Sequence, residues 1–361
     1  MRSYLDHNAT SPLHPAARQA MLAAMTEGGN ASSVHAEGCA ARRTLDDARD
    51  AVAQALGALP GMVVFTSGGS EANNLALKGV PGRRVLISAI EHPSVIEAAR
   101  ASGKTVEVIP VNSAGLVDLA ALEAALPGSP ALVSVMLANN ETGIIQPVRE
   151  VVALAARHGA LVHCDAVQAL GKIPVNFGLL GVDLLSLSAH KLGGPQGCGA
   201  LVVRDAVALS PLIHGGAQEL RRRAGTENVP AIAGFAAVLQ EKLQDINVLR
   251  DELESLLEGA VVIGKDVDRL PNTSCFARPG LLAETLLMAF DLDGIAVSSG
   301  SACSSGKVAQ SHVLAAMGVA PEIAAGAIRV SLGWNTTRED IERFGAVWRR
   351  ILARQPAKAA A

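Results

Sequence analysis

Short apolar runs separated by stretches of helical periodicity make up the first two thirds of the chain. Residues 62–65, 84–89, 105–109, 131–136, 160–164 and 184–187 are apolar with little polar alternation, and segments such as 70–78 and 148–156 between them place apolar residues at helical spacing. A strand buried on both faces loses the alternation of a one-sided sheet, so this order predicts an α/β fold with a mostly parallel sheet covered by helices. Ahead of it, 13–27 reads as a helix, 28–33 as a turn cluster and 35–56 as a long amphipathic helix. A further helical pattern runs over 230–259; beyond it the strands are fewer and mixed (261–263, 273–276, 328–332), and a helix over 337–352 follows. Because 361 residues exceed what one core usually holds, two units are expected. The larger spans 14–258. The smaller, α+β, combines 259–361 with the N-terminal 1–13, and the first helix is expected to pack with it.

Composition narrows the partners. At 49% hydrophobic and a mean hydropathy of +0.30 the chain has apolar surface enough to fold. Aromatic residues are only 2%, too few for the stacking platforms of single-strand binders, and a net charge of −3 gives no bias toward duplex phosphates. No apolar run approaches the ~18 residues of a membrane span, and no apolar stretch follows the N-terminus. The expectation is a cytoplasmic protein that meets small molecules or proteins, with neither nucleic acid nor membrane as partner. Five cysteines without a Cys-x-x-Cys pair signal neither a disulfide framework nor a zinc knuckle, so no resident metal is expected. Cys39, Cys164, Cys198 and Cys275 read as small buried apolar residues. Cys303 lies in a run of Ser, Gly and Ala over 298–307, and is expected to be exposed and reactive.

Chemistry is expected beyond the carboxyl ends of the strands, where open α/β sheets bind ligands. Residues 66–74 (Thr-Ser-Gly-Gly-Ser-Glu-Ala-Asn-Asn) join a strand to a helix and suit either an anion cradle backed by the helix dipole or a tight turn with Ser70 as N-cap. Asp165 stands at the tip of another strand, as a helix cap or as a functional carboxylate. Lys191 follows a third, where a lysine needs a solvent exit or a chemical purpose such as an imine. An anion loop, a carboxylate and a lysine are together what pyridoxal 5'-phosphate requires for its phosphate, its ring nitrogen and its imine.

With their neighbours, these segments resemble the cysteine desulfurases of the class-V aminotransferase superfamily. The likeness runs through 4–10, 29–35, 66–74, Glu91-His92, 139–143, 165–168, 188–191, 223–226, 298–303 and 329–333, and the cysteine segment with Ser311-His-Val-Leu is similar to the long-loop subgroup. Residues 306–310 (Gly-Lys-Val-Ala-Gln) depart from the Leu-Glu-Pro segment of many relatives. The resemblance implies the type I fold of pyridoxal-phosphate enzymes, with a seven-stranded, mostly parallel sheet and a smaller α+β domain. It implies that Lys191 carries the cofactor, Asp165 pairs with the ring nitrogen, His92 stacks on the ring and relays protons, and Gln168 bonds the phenolic oxygen. Gly69, Ser70, Ser188 and His190 would hold the phosphate, with Thr226 reaching over from the second subunit of a homodimer. Arg329, helped by Asn140 and Asn8, would bind the carboxylate of L-cysteine. Cys303 would take the sulfur as a persulfide, leave alanine, and hand the sulfur to an acceptor such as an iron–sulfur scaffold protein, where it would also be the residue to touch a transferred cluster. A selenocysteine lyase or another class-V aminotransferase would share the cofactor residues.

Overall fold

The computed structural model describes residues 2–128, 131–241, 246–299 and 310–354. Its strands, in chain order, are β1 (Ser3–Tyr4), β2 (Val63–Thr66), β3 (Arg84–Ser88), β4 (Thr105–Ile109), β5 (Ala131–Ser134), β6 (Leu161–Asp165), β7 (Leu184–Ser188), β8 (Gly199–Val203), β9 (Val261–Val262), β10 (Thr273–Ala277), β11 (Ile295–Ala296) and β12 (Ala327–Ser331). Seven of them form one sheet in the order β2-β8-β7-β6-β5-β3-β4. Only β8 runs against its neighbours, antiparallel to both β2 and β7. This is also the strand that the apolar pattern does not announce, because the Gly-rich 192–199 before it reads as loop.

Both faces of the sheet are covered, which is why its strands are apolar without alternation. Leu86, Val133 and Val202 point to one side, against the helices Ala36–Leu56, Val148–Arg157 and Val229–Leu239. Their neighbours Val85, Leu132 and Leu201 point to the other, against the helices Gly69–Gly79 and Pro93–Arg100. Successive side chains on a strand face opposite ways, so two apolar layers demand a continuous apolar run.

A second core forms around the antiparallel strands β9, β10 and β12. Aromatic residues are scarce in the chain, and four of them meet here. The Phe276 ring lies edge-on to Trp348 at 5.6 Å, and Phe290 stacks on Phe344 at 4.8 Å. The N-terminal segment joins this core: β1 pairs with β11, and Asp6 bridges to Ser331.

Two expectations need correcting. The pattern over 230–259 is not one helix but two, Val229–Leu239 and Asn247–Ser255. The first is apolar nearly all round and buried under the large sheet, whereas the second offers Leu253 to the second core, so the chain passes from one core to the other between them. The first helix, Pro15–Glu27, packs on Val229–Leu239 rather than on the smaller unit. Met21 lies so close to Gly234 that a Cβ there would sit 2.7 Å from its Cγ.

Phe276→Ala removes the ring that touches both Phe344 and Trp348, and is expected to cost about 3–5 kcal/mol. The midpoint of urea denaturation measures it; a change below about 1 kcal/mol would mean that the aromatic cluster does not hold this core together.

Candidate active site

Beyond the carboxyl ends of the parallel strands lies a cavity of about 780 Å³. Its wall combines the turn after β2 (67–70), His92 and Ser94 after β3, Asn140 after β5, Asp165 and Gln168 from the end of β6, and Ser188, His190 and Lys191 from the end of β7. Asn8, Ala9 and Thr10 close one side, with Arg329 of β12 nearby.

One end of the cavity is built for an anion. Gly68 is the N-cap of the helix Gly69–Gly79, with φ of +148°, a conformation that L side chains avoid. Ser70 is therefore not the cap; it belongs to the first helical turn. A Cβ on Gly69 would stand 2.7 Å from Val167 Cγ2, so glycine lets the turn approach the end of β6. The uncapped N–H groups of this turn point their dipole at the cavity. Ser188 Oγ is buried here and has no hydrogen-bond partner among the described residues. Burial alone would raise the carboxyl of Glu71 behind the turn, but donors from Arg223 and Ser67 hold it below its ordinary range. His190, pushed down to about 4 by burial and by Lys191 and Lys172, is neutral at pH 7 and bonds Thr10 Oγ1 at 3.1 Å through Nδ1.

Asp165 stands in the middle. Its Oδ2 accepts from Asn73 Nδ2 at 2.8 Å and its Oδ1 from Val167 N at 3.0 Å. The next helix begins only at Phe177, so Asp165 is not a helix cap; it braces the turn after β6 and stands in the cavity wall. His92 is the N-cap of Pro93–Arg100: Ser94 N donates to its Nδ1 at 3.1 Å. An Nδ1 that accepts from a backbone N–H leaves the proton of a neutral imidazole on Nε2. Burial lowers the affinity of His92 for a second proton, against the pull of Asp165. Glu91, fully enclosed and pushed up to about 8 by burial, is mostly a neutral acid at pH 7.

Lys191 Nζ donates to the carbonyls of Asn8 at 2.7 Å and Ala9 at 2.8 Å. Burial, with Arg329 adding to it, lowers this lysine to about 8 even though Asp6 and Asp165 oppose the shift. Gln168 Nε2 donates to the same Asn8 carbonyl at 3.0 Å. Arg329, only 4% exposed, gives Nη1 to Asn140 O and Nη2 to Asp6 Oδ1, each at 2.8 Å, and its Nε has no partner among the described residues.

The cavity thus collects Asn8, Gly69, Ser70, His92, Asn140, Asp165, Gln168, Ser188, His190, Lys191 and Arg329. It does not include Thr226, which is exposed and does not line it. Cys303 falls within 300–309, outside the described residues. Cys164, Cys198 and Cys275 are buried as expected, but Cys39 is exposed; it sits near the start of the helix Ala36–Leu56 on a turn that faces away from the core. Pattern reasoning left Asn73 and Lys172 without a role. Asn73 lies one helical turn beyond Gly69, and Lys172 one turn beyond Gln168, a spacing that could have flagged both.

Free N–H groups and an unpartnered hydroxyl at one end, a carboxylate in the middle, and an amine and a guanidinium at the other suit a ligand with an anionic group and a protonated ring nitrogen, together with a second, carboxylate-bearing molecule. The class-V aminotransferase family matches residues 3–344. The cysteine desulfurase of Cereibacter sphaeroides is 46% identical, over 95% of this chain and 94% of that protein. The NifS-like protein from Rickettsia africae superposes with a TM-score of 0.91 at 38% identity, over 98% of this chain and all of that one. The structure "SspA in complex with cysteine" superposes at 0.84 with 30% identity, over 91% of this chain and 98% of that one.

Lys191 is expected to lose its proton near pH 8. Its modification by an amine reagent in the unloaded protein should then rise about tenfold per pH unit below that point and level off above it. Peptide mass spectrometry reads the yield, and a plateau reached only near the ordinary lysine value of 10.5 would contradict the assignment.

Proposed function

The chain belongs to the class-V aminotransferase family and is a cysteine desulfurase, and we propose that it holds pyridoxal 5'-phosphate in the cavity around Lys191 and moves the sulfur of L-cysteine onto Cys303, releasing L-alanine. The observation that carries this reading is the meeting of Lys191, Asp165 and the unpartnered Ser188 hydroxyl in one cavity. In this reading Gly69, Ser70, Ser188 and His190 hold the phosphate, Asp165 keeps the ring nitrogen protonated, His92 faces the ring, and Lys191 is the anchoring amine. When bound, the cofactor supplies an electron sink that acidifies the substrate α-carbon and weakens the bond between its β-carbon and sulfur.

The remaining work falls to the chain. Arg329 has an Nε without a partner and a planar fork, which suit side-on binding of the substrate carboxylate next to Asn140. Asn8 lines the same wall, but its amide is committed to Thr273 and Lys172 within the protein, so its part is to hold Lys191 through its carbonyl. A lysine that titrates near 8 is a competent base at neutral pH, and Lys191 takes the α-proton. His92 presents an N–H from Nε2 and steadies the reacting group. The Cys303 thiolate attacks the substrate sulfur; the carbon–sulfur bond breaks, its electron pair stays on the β-carbon, and a proton completes the methyl group of alanine. The persulfide on Cys303 then passes its outer sulfur to an acceptor thiol, for which an iron–sulfur scaffold protein is the partner we favour. A homodimer completes the site, with Thr226, exposed in its own chain, serving the neighbouring phosphate.

Lys191→Ala is expected to lower turnover at least about 10²-fold and to lose the yellow colour of covalently held cofactor. Cys303→Ser is expected to keep that colour and its response to cysteine while releasing no sulfide. Mass spectrometry should find the added sulfur on the Cys303 peptide; sulfur on Cys39 with Cys303→Ser fully active would overturn the transfer step. Sharing across the dimer has its own test. Two weakly active chains, Lys191→Ala and Thr226→Ala, should regain activity when mixed, because one of the two sites in a mixed dimer is then intact; no recovery after proven subunit exchange would rule it out.

A further inference from the structure

Lys172 sits four residues beyond Gln168 and, among the described residues, has no carboxylate partner. Its Nζ donates to two amide oxygens, Gln168 Oε1 at 2.5 Å and Asn8 Oδ1 at 2.7 Å. Both amides belong to buried residues. We propose that Lys172 is a positioning residue of the cofactor site: by holding the oxygens of the Gln168 and Asn8 amides, it makes Gln168 a hydrogen-bond donor at the cavity wall and thereby selects an anionic oxygen on the bound ring.

The geometry leaves Gln168 one orientation. Lys172 is the donor to its Oε1, and the carbonyl of Asn8, which can only accept, takes one N–H of its Nε2 at 3.0 Å. Turning the amide over would aim Oε1 at the Asn8 carbonyl and leave two acceptors facing each other. With the oxygen engaged on Lys172, the second N–H of Nε2 is the function that Gln168 can offer a ligand. Asn8 is locked the same way. Its Oδ1 takes Lys172 and Asn272, while its Nδ2 donates to Thr273 Oγ1 at 2.9 Å and Asn140 O at 3.3 Å. The main-chain carbonyl of Asn8 in turn receives Lys191, so both lysine amines meet at Asn8.

A carboxylate in place of these amides would pair with Lys172 and bring a fixed negative charge to the ring oxygen; amides do not. Burial, and after it the cations Lys191 and Arg329, push Lys172 well below the ordinary lysine range. Its other titratable neighbours are His7 and His190, both lowered to about 4 and neutral at pH 7. The wall around Gln168 therefore carries donors without added negative charge.

This inference rests on the pyridoxal-phosphate reading, and the test separates the two. Wild type, Lys172→Met, Gln168→Ala and the double variant are loaded with pyridoxal 5'-phosphate, and two quantities are read from each: the affinity for the cofactor and the pH midpoint of its colour change. A donor to the ring oxygen favours the deprotonated form, so Lys172→Met is expected to raise the midpoint by about one unit and to weaken affinity about tenfold. In the Gln168→Ala background the same change should add little, because it acts through that amide. A wild-type midpoint in Lys172→Met, or a shift of equal size with Gln168 absent, overturns the role of Lys172. A wild type that takes up no cofactor overturns the cofactor reading and the inference with it. If Lys172→Met does not fold, Lys172→Gln, which keeps an N–H donor, should fall between wild type and Gln168→Ala in midpoint; a shift in it that persists without Gln168 overturns the inference equally.

Discussion

Asp165 and Ser186 face each other across the parallel strands β6 and β7, and this register fixes where the acid and the lysine emerge. β6 ends on Asp165. β7 runs two residues further, to Ser188, and the short 3-10 turn Ala189–Lys191 then turns Lys191 toward the Asn8 and Ala9 carbonyls. A slip of one residue would send Asp165 into the opposite apolar layer and bury a carboxylate among side chains with nothing to offer it. The pairing is held against such a slip from both sides. Cys164 and Leu185 are packed in one layer, Leu184 lies in the other, and His163 bonds the hydroxyls of Ser134 and Ser186, each at 2.8 Å, across three adjacent strands.

The charged groups around the cavity are placed in a way that matches the proposed ligands. Lys191 and Arg329 line the cavity and Lys172 stands behind Asn8 and Gln168, while Asp6 pairs with Arg329, Glu71 with Arg223, and Asp165 and Glu141 are the other carboxyl groups of the wall. Burial weakens the hold of both lysines on their protons; Arg329 adds to it for both, and Lys191 adds to it for Lys172. Such a site gains by taking up a phosphate at one end and a carboxylate at the other. Burial and Arg329 also bring the reacting amine down to about 8, within reach of deprotonation near neutral pH.

The N-terminal segment does more than its irregular backbone suggests. Through Asn8, Ala9 and Thr10 it contacts Lys191, Gln168, Lys172 and His190, while Asp6 grips Arg329 of β12. It thus ties the turn after β6, the turn after β7 and the smaller sheet to one stretch of chain. Main-chain carbonyls serve well here because they accept hydrogen bonds without adding a charge.

What the sequence by itself determined is the part written in short-range pattern: two-sided apolar strands, the glycine turn before the helix Gly69–Gly79, and an acid and a lysine at strand tips. These follow from periodicity and local sterics, and the ordered motifs that carry the family resemblance lie at the same strand ends. What only the tertiary structure decided depends on which distant segments meet. The helical pattern over 230–259 divides because its halves serve different cores, and the first helix goes to Val229–Leu239 because Gly234 lets Met21 in. Arg329 reaches Asp6 across 323 positions, and Lys172 reaches Asn8 across 164. A lysine in an apolar stretch looks the same in sequence whether its amine ends in water or on two amide oxygens, since burial and hydrogen-bond partners arise from packing between segments that no local pattern records.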